Sequence, residues 1–205
     1  MDLTRRPAAP ADAPAGAALL ARSMAQFGDA LLGLGDHQRQ LAVLEAFWRG
    51  ADNRFSHQLA EVALLDGEIA GLALTFGGSQ SLALNFGFAR RILKVYGLRQ
   101  ALRFGWLGLP MAGYTEVQRD EYLLSNLAVF PWAEGRGVGR YLLQRSDELA
   151  QAAGYRRITL TVELGNERAR GLYLSHGYRV IERHPTPQLE TKLGTLGTER
   201  LIKDL

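Results

Sequence analysis

Residues 121–143 read Glu121-Tyr-Leu-Leu-Ser-Asn-Leu-Ala-Val-Phe130-Pro-Trp-Ala-Glu134-Gly-Arg-Gly-Val-Gly139-Arg-Tyr-Leu-Leu143, and the fold follows from how this run changes character. Residues 121–129 are strand-like and apolar up to Phe130, where Pro131 stops them. Gly135, Gly137 and Gly139 then alternate at the entrance of a helix. Helix entrances carry unpaired N–H groups and a partial positive charge, so they attract anions. Glycines remove the side chains that would hold a phosphate off the backbone. Strand, glycine-rich turn and helix together make an anion cradle.

Outward from the cradle, the C-terminal side is the more regular. A helix is predicted over 137–153 with Val138, Leu142, Leu149 and Ala153 facing inward, and Gly154 ends it. Ile158, Leu160 and Val162 alternate on the next strand. A second helix starts near Asn166 and stops before Gly177, and residues 178–184 and about 197–203 supply closing strands. A strand–helix–strand unit with a helix of this size implies a parallel pair at the centre of the sheet.

On the N-terminal side, residues 2–6 read as a short strand and Pro7 to Pro14 as a turn with Asp12 as helix cap. Helices are predicted over 14–31 and 37–49, the second with Leu41, Leu44, Phe47 and Trp48 at helical spacing. Residues 58–65 and 68–76 are strands joined by the hairpin signal Asp66-Gly67. The whole chain, 1–205, is expected to form one α/β domain with a mixed, mostly antiparallel sheet flanked by helices.

Residues 79–118 stand apart as a helical insertion or lid. Phe86, Ala89, Leu93 and Tyr96 fall on one helical face, with Arg90, Arg91 and Lys94 beside it. Gly97 breaks the run, and Leu98, Ala101 and Leu102 begin another apolar face near Arg99 and Arg103. No acid occurs from Ile69 to Thr115. Two readings stay open: a basic lid over an acidic ligand or a membrane surface, or two packed surface helices with solvated arginines.

The bulk properties narrow the function. A chain of 205 residues, 47% apolar and 22% charged, suits a soluble domain with a sizeable core. A net charge of +3 is too small for this length to argue for nucleic acid. The absence of cysteine excludes a disulfide, a thiolate metal site and a cysteine nucleophile. No apolar run approaches the roughly 18 residues of a membrane span, and no signal peptide is visible. A cytoplasmic location is expected. His37, His57, His176 and His184 show no metal or triad spacing, so no metal is expected.

Three phosphate-binding patterns compete for the cradle. A nucleoside-triphosphate loop needs Lys and then Ser or Thr after its last glycine, where this chain has Arg140 and Tyr141. A dinucleotide fingerprint needs Gly-x-Gly-x-x-Gly, whereas the spacing here is Gly-x-Gly-x-Gly, although Glu163 mimics the ribose-binding acid. The third fits best. Val129, Pro131 and Glu134-Gly-Arg-Gly137-Val-Gly139, followed by Asn166-Glu-Arg-Ala169-Arg-Gly-Leu172-Tyr173 and Gly177-Tyr178, resemble the two acetyl-CoA-binding motifs of the GNAT superfamily of N-acetyltransferases.

The resemblance implies a GNAT-like sheet whose central parallel strands splay apart around the pantetheine arm. It places the arm on the backbone of Leu127, Ala128 and Val129. It places the pyrophosphate on the N–H groups of Arg136, Gly137, Val138, Gly139 and Arg140, with Glu134, Gly135, Asn166 and Ala169 also in the cofactor-binding set. Glu134 stands where the family usually has Arg or Gln, and either faces solvent or pairs with an arginine. Asn166 is open to a second reading as a helix cap. Tyr173 is either the group near the thioester sulfur or a core side chain.

The amine that accepts the acetyl group must lose a proton. Glu121, which strand alternation places on one face with Leu123, Ser125 and Leu127, is the first candidate base, with Asp120 and Glu116 as alternatives. The expected reaction is transfer of an acetyl group from acetyl-CoA to a primary amine, on a small molecule or a protein, by direct attack. The alternative is a non-catalytic CoA- or nucleotide-binding module. Oligomeric state stays open, a homodimer included.

Overall fold

The computed structural model describes residues 2–108, 116–186 and 196–205. Among these, strands β1 (Leu3–Pro7), β2 (Ala60–Leu65), β3 (Glu68–Gly77), β4 (Tyr122–Val129), β5 (Arg157–Glu163), β6 (Arg179–Pro185) and β7 (Gly197–Asp204) form one sheet in the order β1-β2-β3-β4-β5-β7-β6. Neighbours are antiparallel except β4 and β5, which run parallel. The mixed, mostly antiparallel sheet with a central parallel pair is therefore as the sequence implies. Asp66 (φ 51°) and Gly67 (φ 89°) take the two left-handed positions that a tight hairpin needs.

Helices cover both faces. On one, α1 (Ala13–Leu31), α2 (His37–Arg49) and α3 (Ser81–Gly108) bury Leu19, Leu20, Phe47 and Trp48 against Val62, Leu72, Leu74, Phe76 and Leu123. On the other, α4 (Val138–Ala152) and α5 (Glu167–Ser175) bury Leu142, Leu143 and Tyr173 against Ala63, Leu124, Ile158 and Leu160. Each fully buried Leu or Phe contributes about 1.5–3 kcal/mol relative to an exposed one. The indole of Trp48 is sealed in and donates to the Ala9 carbonyl at 2.9 Å, so its one polar atom is not stranded.

Four local expectations are corrected. Asp12 precedes α1 but does not cap it; its carboxylate accepts from Arg6 at 2.7 and 2.8 Å and from the Ala9 N–H at 2.8 Å. The Arg6 hydrogen bond, the largest influence, holds the Asp12 carboxyl below its usual range. Ala153 is exposed and Ala150 takes the inward place, because α4 ends at Ala152 and helical periodicity ends with it. Residues 57–59 form a 3-10 turn capped by Ser56, so β2 starts at Ala60.

The fourth correction concerns α3. Its break at Gly97 (φ 70°, ψ 174°) is where the sequence puts it, but the buried face is not. Phe88 packs edge-on against Phe47 and Phe55 at 5.4 and 5.7 Å between ring centres, and Ile92 is buried beside them. Of the predicted face, Tyr96 packs inward and donates to the Leu32 carbonyl, while Phe86 and Leu93 are exposed. The helix is apolar on two sides, so a periodic pattern alone has two solutions.

Candidate active site

The site begins with an extra residue in β4. Leu74 pairs with Asn126 and Thr75 with Leu124, so Ser125 has no counterpart on β3. Such a bulge reverses which side chains face which layer. Leu123 joins the α1/α2 core, whereas Leu127, four residues on, joins the α4/α5 core. Simple alternation would have put both on one face.

The same strand loses its parallel partner. β4 and β5 pair at Tyr122 with Ile158 and at Leu123 with Thr159, and no further pairing follows. Leu124 to Val129 line one wall of the resulting cleft and Leu160 to Glu163 the other, with a volume of about 640 Å³. On the β5 side, the backbone of the outer half of β4 has no strand partner. Arg22 of α1 reaches across and donates through Nε to the Val129 carbonyl at 3.0 Å.

The mouth is built by the glycine-rich turn. Gly135 (φ 75°) and Gly137 (φ 83°) hold left-handed conformations that side chains resist, and Gly137 stands immediately before α4 as its N-terminal cap position. The first turn of α4 therefore opens its N–H groups toward the cleft, whose lining includes Gly137, Val138, Gly139 and Arg140. Arg136 and Arg140 are exposed beside it.

Glu134 is not a bare negative charge. Its carboxylate accepts from Arg22 Nη2 at 2.5 Å and from Arg168 Nη1 of α5. These bonds, Arg168 first, hold it below the ordinary carboxylate range, so it stays ionised at neutral pH. One anion between two guanidiniums leaves the rim net positive. Two arginines from distant elements thus bring positive charge and N–H donors to a rim whose own turn residue is acidic.

On the opposite wall, the Asn166 side-chain oxygen accepts from the Ala169 N–H at 3.1 Å, which makes it the cap of α5 while it also lines the cleft. Tyr173 lines the cleft as well. Its ring packs on Tyr178 at 5.9 Å, and burial pushes its phenol up to about 12.

Glu121 is elsewhere. It precedes β4, its side chain is 2% exposed, and its carboxylate is bonded to Arg200 of β7 and to the Gln118 N–H. It does not line the cleft, and its carboxylate is taken up by Arg200 and the Gln118 N–H. Asp120 is tied to Arg157 at 2.5 Å. Glu116 pairs with Arg54 at 2.7 Å, and Arg54 also donates to the Ser125 hydroxyl at 3.3 Å, on the cleft wall at the bulge.

Motif reading missed Arg22, Ser23, Arg168 and Thr198, all of which line the cleft. Arg168 lies inside the second motif, at a position the pattern leaves free. Arg22 and Ser23 come from α1 and meet the site only through packing, and no local signal marks them. The Asn126 amide donates to the Ser23 hydroxyl at 2.9 Å, which ties α1 to the strand just past the bulge.

A parallel pair that opens beyond two residue pairs, with a helix entrance at its mouth, makes a cleft shaped for a long ligand with an anionic end. The chain belongs to the GNAT family of acetyltransferases, whose family model matches residues 33–178. An N-acetyltransferase from Staphylococcus aureus Mu50 has the same fold, with a TM-score of 0.72 at 21% identity over 97% of this chain and 99% of that one. So has the PaiA N-acetyltransferase of Thermoplasma acidophilum, solved in complex with coenzyme A, with a TM-score of 0.58 at 12% identity over the full length of both. A mycothiol acetyltransferase of Jonesia denitrificans is 45% identical over 58 residues, 28% of this chain. That match spans only 18% of the relative's length.

Proposed function

We propose that this chain transfers an acetyl group from acetyl-CoA to a primary amine by direct attack, in one domain that carries residues 79–118 as an insertion, of which 109–115 lie outside the described residues. The observation that carries the reading is the divergence of β4 from β5 with the glycine-rich turn at the open end. Acetyl-CoA supplies an activated acetyl group and a thiolate leaving group. The chain's part is to hold and polarise it. The backbone of Leu127, Ala128 and Val129, which has no strand partner on the β5 side and whose last carbonyl holds Arg22, suits the amides of a pantetheine arm. The first turn of α4, with Arg136, Arg140, Arg22 and Arg168 around it, suits a pyrophosphate.

Tyr173 assists the leaving group as a hydrogen-bond donor. A phenol raised to about 12 lies about 3.5 units above an ordinary thiol, so complete transfer of its proton would be uphill by roughly 5 kcal/mol. A hydrogen bond that strengthens as charge gathers on sulfur needs no such transfer. Glu116 is the candidate base ahead of Glu121 because it is part-exposed, 27% against 2%, and its partner Arg54 also donates to Ser125 on the cleft wall; it takes a proton only once an acceptor draws it off Arg54. Turnover by Glu116→Gln within about twofold of the parent would return the amine's proton to solvent.

The decisive experiment combines binding and turnover. The parent protein should bind CoA by calorimetry and release free thiol from acetyl-CoA with at least one class of primary amine. Gly137→Glu puts a carboxylate where the backbone would meet phosphate. It should weaken CoA at least about tenfold, or about 1.4 kcal/mol. Gly137→Ala, which carries the backbone strain without the charge, separates the two effects. Unchanged CoA affinity in a folded Gly137→Glu protein overturns the assignment of this loop. CoA binding without thiol release for any amine leaves the non-catalytic reading.

A further inference from the structure

We propose that the outer face of α3 seats this protein on an anionic lipid surface. The helix has two apolar faces. The inner one, with Phe88 and Ile92, packs on Phe47 and Phe55. The outer one is bare. Leu82 is 84% exposed and Phe86 72%, and Leu93 follows on the same side. Beyond the break at Gly97, Leu98, Leu102 and Trp106 recur every four residues and each is about two-thirds exposed. Single exposed leucines are ordinary, but two successive helical stripes of Leu, Phe and Trp are not.

The charge of the segment selects the partner. Arg90, Lys94 and Arg99 are exposed among these side chains, and residues 69–115 contain no Asp or Glu. A second copy paired face to face would set these cations against their own images with no acid in the segment to offset them. An anionic bilayer supplies what both sets of side chains lack: a hydrocarbon layer for Leu, Phe and Trp, and a negative headgroup layer for Arg and Lys. No helix among the described residues is long and apolar enough to cross a membrane, so the contact is peripheral. The helix leaves the sheet after Gly77, which pairs with Tyr122 at the start of β4; the glycine-rich turn follows the other end of that strand.

Co-sedimentation tests this directly. Vesicles of phosphatidylcholine and phosphatidylglycerol in equal parts should bind the protein at least about tenfold more tightly than phosphatidylcholine alone, with the difference shrinking at high salt. Tryptophan emission should shift to the blue on the anionic vesicles, and Trp106→Phe should remove the shift while retaining binding. Phe86→Ser with Leu102→Ser, both on the solvent side, should reduce binding at least about tenfold with the thermal midpoint preserved. Should that variant fail to fold, Arg90→Ala, Lys94→Ala and Arg99→Ala together should abolish the preference for anionic vesicles. Equal or absent binding to the two vesicle types overturns the proposal. So does a blue shift that survives in Trp106→Phe, or a dimer by sedimentation velocity that the Phe86/Leu102 variant converts to monomer.

Discussion

Replacing Tyr173 by phenylalanine is expected to lower the turnover number about a hundredfold and to leave CoA affinity nearly unchanged. The ring stays in its packing against Tyr178, so the substitution deletes one hydroxyl and little else. Loss of one well-aligned donor to developing negative charge costs roughly 10²–10³ in rate, and a donor active only as charge develops acts on turnover rather than on binding. The raised phenol, at about 12, places the expected loss at the lower end, because hydrogen bonding rather than proton transfer is removed. The competing role, a core tyrosine, predicts a lower thermal midpoint with normal turnover. Both quantities measured on one preparation decide between them, and turnover within about twofold of the parent strikes Tyr173 from the catalytic residues.

Arg200→Met is expected to destabilise the fold by about 3–5 kcal/mol, the usual result of stranding one member of a buried ion pair. Arg200 and Glu121 are each 2% exposed, and without the guanidinium the carboxylate keeps only the Gln118 N–H among its described partners. For a chain of this size that corresponds to a fall of roughly 10 °C in Tm. Arg200→Met combined with Glu121→Leu should recover most of the loss, since a buried pair exchanged for apolar groups is often neutral or stabilising. A loss below about 1 kcal/mol in the single variant, by denaturant titration, contradicts the buried-pair account. The double variant also tests chemistry, because normal turnover without a carboxylate at position 121 excludes that residue as the base.

The legible parts of the fold were those with local causes. Helix entrances, glycine stops and the Asp66-Gly67 hairpin each depend on a few adjacent residues, and most of these elements lie within two residues of where the pattern puts them. The cradle was legible for the same reason: proline, three glycines and a helix stand next to one another. The failures share a different cause. Ser125 looks like any strand residue, and only the register against β3 shows that it is extra; without that, Leu127 is counted on the same face as Leu123, although the two join opposite cores. The inner face of α3 is chosen by Phe47 and Phe55, which lie some thirty to forty positions away in the chain. The mouth's second source of charge, Arg22, sits 112 positions from the glutamate it holds.

That last contact changes how the turn can vary. Arg22, Glu134 and Arg168 come from α1, the glycine-rich turn and α5, and Glu134 touches both arginines. A single exchange of Glu134 for arginine, which would bring the turn nearer to the family pattern, places three guanidiniums together and releases two elements at once. The same exchange made in a background where Arg22 and Arg168 are already neutral meets no such conflict. The two orders of change are therefore not equivalent: changing Glu134 first crowds three guanidiniums together, whereas losing Arg22 and Arg168 first leaves a bare carboxylate at the mouth.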